Sequence, residues 1–224
     1  MEPMAEDVKR RRRYNAPRRA EQAAATRRAV LDAARDLFVT RGYLATTVAE
    51  IAERAGVAVD TIYATVGRKP VQIREVVETS ISGQDRAVPA AERDYVKAML
   101  AAPTAREKLA IYAAAIAVIS PRTAPVFRAL YDAGVSGDAD CAALYAEITG
   151  RRAANMRLAA ADMRATGELR ADLSDDEVAD IIWSMNAPEY WVLLVGQRGW
   201  TPQRFGTWLA DAWARLLLAD STTS

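Results

Sequence analysis

The stretch TVAEIAERAGVAVDTIYATVGRK at residues 47–69 restricts the fold more than any other part of the chain. Val48, Ile51 and Ala52 make a short apolar stripe at helical spacing, and Thr47 places a side-chain oxygen at the N-cap position. Ala55, Gly56 and Val57 then break the run. A second helix starts near Ala58 and carries Ile62 inward, leaving Val59, Asp60, Thr61 and Tyr63 to point outward. Small Ala55 and permissive Gly56 let two helices cross steeply within a short connection, which is helix-turn-helix geometry. A second helix of this kind can enter a DNA major groove N-terminus first, so that its polar residues meet base edges and phosphates.

The same periodicity predicts helices over 26–40, ending near Gly42, and over 69–81, with Pro70 in the first turn. Tyr43 either packs or contacts a DNA backbone. Residues 83–89 are polar and turn-rich and mark a boundary. Beyond them, helices are expected over 90–101, 105–119, 122–131, 138–166, 175–185, 188–196 and 202–219, with no strand alternation. Thr104, Ser174 and Thr201 read as N-caps. Ser174, Asp175, Asp176 and Glu177 form a capping box with acids at the positive end of the helix dipole, so this carboxylate cluster needs no catalytic or metal explanation. The final helix, with Phe205, Trp208, Leu209, Trp213 and Leu217, is apolar on more than one side and needs cover on two.

With no His and one Cys in 224 residues, the chain lacks the parts of a usual zinc site, a Cys–His nucleophile or an internal disulfide. No cofactor, metal or enzyme activity is expected. Cys141 reads as a small buried hydrophobe, with a redox-sensing thiol as the other reading. The net charge of +1 is unevenly distributed: residues 1–80 hold fifteen Lys and Arg against eleven Asp and Glu, a net +4, which leaves −3 on the rest. That asymmetry suits a nucleic-acid contact at one end and a self-associating or ligand-binding body at the other. Residues 1–25, with KRRRR at 9–13, read as a flexible basic arm able to follow phosphates or a minor groove, or as a solvated tail. The longest apolar run, 109–119, falls short of a membrane span, and no secretory signal opens the chain; a cytoplasmic protein with no membrane partner is expected.

Residues 26–69 resemble the DNA-binding domain of the TetR (tetracycline repressor) family of bacterial regulators. The matching residues are Arg28, Val30-Leu31, Ala33-Ala34, Leu37-Phe38, Gly42-Tyr43, Thr46-Thr47-Val48, Ile51-Ala52, Ala55-Gly56-Val57, Thr61-Ile62-Tyr63, Gly67 and Lys69. The chain has Ala64, Thr65 and Val66 where many members carry two histidines and a phenylalanine, a difference that bears on the bases read. The resemblance implies an all-α fold: a three-helix DNA-binding domain at 26–69, a connecting helix at 70–82, and a larger helical ligand-binding and dimerisation domain at 83–224. It also implies a ligand-responsive regulator, usually a repressor, that binds a palindromic operator in double-stranded DNA as a homodimer and leaves it when a small-molecule effector binds. A helical small-molecule carrier and a non-specific architectural DNA-binding protein are the other classes the sequence allows.

On this reading Thr47, Val59, Asp60, Thr61, Tyr63, Thr65, Arg68 and Lys69 form the DNA-binding surface. Thr47 doubles as an N-cap. Asp60, a carboxylate among phosphates, either stabilises its own helix start or accepts from a cytosine amino group. Candidates for the ligand pocket are Tyr112, Phe127, Tyr131, Tyr145, Arg152, Met156 and Trp183. Arg152 falls on the apolar stripe of its helix, in line with Ile148 and Met156. It is there either as half of a salt bridge at the bundle edge or as a cation that faces the cavity and selects an anionic group.

Overall fold

The computed structural model describes the backbone of residues 4–220 and the side chains of residues 18–220. The chain divides into two compact units, Met1–Val76 and Val77–Ser224. Among the described residues it is an all-α protein whose one strand-like pairing is an isolated bridge between Leu169 and Leu218.

The first unit holds α1 (Met4–Arg41), α2 (Val48–Ala55), α3 (Val59–Thr65) and the first half of α4 (Lys69–Ser82). Val30, Ala34 and Phe38 of α1, Ile51 of α2 and Ile62 of α3 are all fully buried, so the three helices share one small core. Val30, Phe38, Ile51 and Ile62 each contribute about 1.5–3 kcal/mol by leaving water. The sequence sets the chain reversals as well. Thr47 and Glu50 cap α2 reciprocally: the Glu50 amide donates to Thr47 Oγ1 at 3.2 Å, and the Thr47 amide donates to Glu50 Oε2 at 2.8 Å. At the other end Gly56 adopts φ 67°, the Gly56 amide bonds to Glu53 O and the Val57 amide to Ala52 O, a pairing that closes the helix and turns the chain toward α3. Buried Thr46 donates to the Gly42 carbonyl at 2.8 Å and holds the α1–α2 corner.

The first helix begins at Met4, far ahead of the expected residue 26. Between Arg18 and Arg41 there is no Gly or Pro, and RRAEQAAATRRA is made almost wholly of strong helix formers, which carries the helix back to Arg18; ahead of that it continues through Pro17. The side chains of the arginine-rich cluster at 9–13 lie outside the described residues, as do residues 1–3 of the proposed arm.

The second unit is built around α6 (Ala105–Val135), which packs against α5 (Asp94–Ala101), α7 (Ala139–Arg164), α9 (Pro188–Trp191) and α10 (Pro202–Leu217); α8 (Asp175–Met185) packs on α7. Its core runs through Leu109, Ala113, Met163, Ile182, Phe205 and Trp213. Thr104, Asp138, Ser174 and Thr201 cap α6, α7, α8 and α10 through their side chains. Cys141 is buried and forms no disulfide among the described residues.

Three expectations change here. The helices read at 105–119 and 122–131 are one, with Pro121 and Pro125 inside it. Each proline removes a backbone donor. The carbonyls left short are those of Ala117 and Pro121, four residues before each proline, and buried Ser120, Ala124, Val126 and Phe127 hold the stretch helical by packing. Because it continues through the prolines, α6 is long and apolar enough to cross a membrane by length and composition, contrary to the reading that stopped at residue 119; in this fold it is the central helix of the bundle. The expected helix over 188–196 is α9 followed by a wide π turn over Val192–Gln197, and 90–101 divides into a 3-10 turn, Ala90–Glu92, and α5, with extended Arg93 between them.

Candidate functional site

In the first unit, the residues expected to face DNA differ in exposure. Ile62 is fully buried, and Tyr63 on the opposite side is half exposed. Asp60 lies exposed in the first turn of α3, where its charge favours the helix dipole. Val59 and Thr61 are partly covered. Thr65 is tied inward, its hydroxyl donating to the Thr61 carbonyl at 2.7 Å, so its oxygen is less open than that of a free side chain. Thr47 sits at the head of α2 with its hydroxyl donating to Glu50 Oε2 at 2.9 Å, and this network holds the Glu50 carboxyl below the usual carboxylate range, chiefly through the Thr47 amide. Arg68 is exposed in the α3–α4 turn. Lys69 opens α4 with its ammonium 4.2 Å from the centre of the Tyr43 ring. Tyr43 itself is buried against Phe38, ring centres 5.2 Å apart, so of its two readings the structure shows packing.

Gln72 is a residue that the sequence reading missed. Fully buried, it donates from Nε2 to the Gly67 carbonyl at 2.8 Å and fixes the turn that carries Arg68 and Lys69. Ion pairs brace the same unit: Arg27 with Glu75 at 2.5 Å, Arg41 with Glu50 at 2.7 Å, and Arg54 with Asp36.

In the second unit a cavity of about 250 Å³ lies among α5, α6, α7 and the α8–α9 corner, with Ile81 of α4 on its wall. Four of the seven candidates line it: Tyr112, Phe127, Arg152 and Met156. Tyr131, Tyr145 and Trp183 are not among its lining residues. Tyr131 and Tyr145 pack on one another at 5.2 Å, and Tyr145 donates its hydroxyl hydrogen to Glu189 at 3.4 Å. Helical periodicity puts these side chains near the body's interior, but a cavity depends on which faces of four helices converge, and that is a tertiary property.

Arg152 has no carboxylate at ion-pairing distance among the described residues, so the salt-bridge reading does not hold. Its Nη2 donates to Asn186 Oδ1 and, at 3.4 Å, to the carbonyls of Trp183 and Asn186. The Trp183 ring lies 5.8 Å from the guanidinium carbon. Asn186 in turn donates to the Tyr112 hydroxyl at 2.9 Å, and Tyr112 stacks between Tyr95 and Trp213 at 6.2 and 5.7 Å. Burial pushes the Tyr112 phenol far up, so it stays protonated at neutral pH; burial also lowers the pKa of Arg152, which still remains a cation.

Arg93, Tyr95, Asn155 and Asn186 line the cavity and were missed by sequence reasoning. The one available signal was Asn186 itself, a polar residue just past the apolar helix 175–185. An adjoining depression of about 460 Å³ shares Ile81, Arg93, Tyr95 and Ile119 with the cavity.

The helix-turn-helix lies in the first unit and the cavity in the second. Residues 30–65 match the family of bacterial regulatory proteins, tetR family. The match takes in the second part of α1 and all of α2 and α3, the helix-turn-helix of that family. Solved structures share the fold over most of both chains. A putative transcriptional regulator from Saccharomonospora viridis, in complex with choline, is 18% identical, with 86% of this chain and 97% of that one covered at a TM-score of 0.63. The tetR regulator TylP from Streptomyces fradiae is 23% identical, with 89% of each covered at 0.63. The regulator FadR from Bacillus subtilis, in complex with stearoyl-CoA, is 18% identical, with 83% and 96% covered at 0.66. No curated protein sequence matches the chain significantly.

Proposed function

We propose that the chain is a cytoplasmic repressor that binds a palindromic operator as a homodimer and leaves it when a small molecule fills the cavity of the second unit. The observation that carries this reading is the pairing of α3, whose Asp60 and Tyr63 are exposed over a buried Ile62, with a cavity lined by helices of the other unit and by the far end of α4. Thr47, Val59, Asp60, Thr61, Tyr63, Thr65, Arg68 and Lys69 are the residues assigned to DNA. Phosphate contacts fall to Thr47, Arg68 and Lys69, and base edges to the residues of α3. One helix of this size reads few base pairs, so two-fold symmetry on two half-sites supplies the remaining specificity. Exposed Leu193 and Leu216, on the π turn and α10, belong to the face assigned to the partner subunit.

Release requires that the ligand bind better to the conformation in which the two α3 helices no longer fit successive grooves. That relatives of the same fold hold molecules as different as choline and stearoyl-CoA supports a ligand-binding body without choosing the ligand. The test is selection of bound duplexes from fragmented host genomic DNA by the purified chain at physiological salt. Enrichment of a palindrome, lost with Tyr63→Ala, is the expected result. Recovery without any shared motif would reject operator recognition and leave a non-specific DNA-binding protein.

A further inference from the structure

We propose that the cavity takes an amphipathic monoanion: one carboxylate on an apolar body of on the order of ten non-hydrogen atoms, with the carboxylate held by Arg152 and Tyr112. The assignment rests on the reading of this cavity as the effector site and names the chemistry of what enters it.

The charge balance of the wall is the first argument. Its lining residues include three arginines, Arg93, Arg151 and Arg152, and no Asp or Glu. Arg151 is matched by Glu78 of α4 at 2.5 Å. Arg93 donates to the Val88 carbonyl and the Tyr95 hydroxyl, and it shares the adjoining depression with Glu92 and Asp94. Arg152 has neutral acceptors only, all reached through Nη2. Its Nη1 and Nε have no protein acceptor among the described residues. Glu189 acts on it from beyond ion-pairing distance, and its carboxylate accepts from Tyr145. One part-buried cation thus lacks its counter-charge, an arrangement that costs stability until an anion arrives.

The second argument is the donor set beside it. The Tyr112 oxygen already accepts from Asn186, and the phenol's own hydrogen has no protein acceptor among the described residues. Asn186 links the two donors, since it accepts from Arg152 and donates to Tyr112. A carboxylate placed there gains a charge-assisted bond and a phenolic bond at once. The rest of the wall is apolar, with Met99, Ile116, Ile119, Phe127 and Ile148. Within the hydrogen-bonded set of Arg152, Asn186 and Tyr112 the guanidinium is the one charge, which matches a monoanion. The volume, about 250 Å³, equals roughly eight waters at ~30 Å³ each, which sets the length of the body.

The experiment is calorimetric titration of the full chain at pH 7.5 with octanoate and 4-phenylbutanoate, their primary amides, octylammonium and octyl phosphate. At least one acid is expected to bind about tenfold or more tightly than its amide, the effect of one charge-assisted bond, and octylammonium not at all. Arg152→Gln is expected to bring the acid down to near its amide, with a cooperative thermal unfolding transition to certify that the variant is folded; an acid that binds the folded variant as tightly as the parent would overturn the assignment to Arg152. An amide or octylammonium that binds as well as the acids would overturn the anion assignment and leave the cavity an apolar ligand site. Tighter octyl phosphate would replace the monoanion by a dianion. Binding by none of the probes to millimolar concentration would reject the effector-site reading and this proposal with it.

Discussion

Arg122 Nε, on the proline-containing stretch of α6, donates to the Ser80 carbonyl in the last turn of α4 at 2.6 Å. The last carbonyls of a helix have no partner within it, and a cation there also favours the negative end of the dipole. Arg122 therefore closes α4 from outside, immediately beside Ile81, Ile119, Ser120 and Thr123 of the cavity wall. Arg122→Met is expected to lose about 1.5–3 kcal/mol of unfolding free energy, the value of a hydrogen bond from a charged donor. It should also speed hydrogen exchange of the Gly83 amide, which is bonded to Thr79. Unaltered exchange at Gly83 would show that α4 ends as firmly without the guanidinium.

Lys108 makes an equivalent tie deeper in the body. Its ammonium is almost fully buried and donates to the Met99 and Leu100 carbonyls at 3.2 and 2.9 Å, 2.8 Å from a carboxylate oxygen of Asp162. It thereby joins the end of α5 to α6 and α7. Lys108→Met leaves buried carbonyls without a donor and should cost about 3 kcal/mol by urea denaturation. The pairing oxygen of Asp162, Oδ2, is buried although the side chain as a whole is 32% exposed, so Asp162→Asn leaves the ammonium short of its counter-charge and should cost about 1–2 kcal/mol, less than Lys108→Met because both carbonyls keep their donor. Equal losses for the two variants would show that the ion pair, and not the carbonyl contacts, carries the stability.

The DNA-binding unit was legible in the sequence because its signals are local. Thr47 with Glu50, Gly56 after Ala55, and Ile62 alone on the inner side of α3 each act within a few residues, and local geometry follows directly from residue type. The cavity was legible only in part. Arg152 stood out as a cation on an apolar stripe, and Tyr112, Phe127 and Met156 as large side chains on the right helices. Asn186 caps the end of α8, Arg93 is the extended link ahead of α5 and Tyr95 stands in the first turn of α5, places where a short stretch of sequence gives no periodicity to mark a direction. Pro121 misled for the opposite reason: its local rule is to end a helix, and tertiary packing around Ala124 and Phe127 overrides it.

The capping box of α8 makes stability depend on pH in a fixed direction. The Ser174 amide donates to Glu177 Oε2 at 2.7 Å, and this bond, with the Ser174 hydroxyl, holds the Glu177 carboxyl below its usual 4.5. A carboxyl whose pKa is lower folded than unfolded stabilises the fold above its unfolded value and loses that contribution as pH falls through the folded one. Glu177→Gln should therefore lower the urea midpoint at pH 7, and the gap between variant and parent should close as the pH falls below 4.5 toward full protonation. A gap that stays constant down to that acid limit would mean that the side chain acts by packing and not by charge.

Gly206 sets how closely α10 can approach α6. A Cβ built there would lie 2.9 Å from Ala117 Cβ and 3.3 Å from the Ala113 carbonyl oxygen, distances that force the two helices apart. In an exposed helix the same change would stabilise by about 1 kcal/mol through propensity. Here overpacking of about 1–3 kcal/mol opposes it, because the nearest atoms belong to backbone and to a methyl group that cannot rotate away. Gly206→Ala should thus destabilise, and thermal unfolding should show Ala117→Gly partly rescuing it, since the paired change removes the closer of the two contacts. Stabilisation by Gly206→Ala alone would mean that the α6–α10 crossing gives way at little cost. Additive losses in the double variant would place the strain at the Ala113 carbonyl instead.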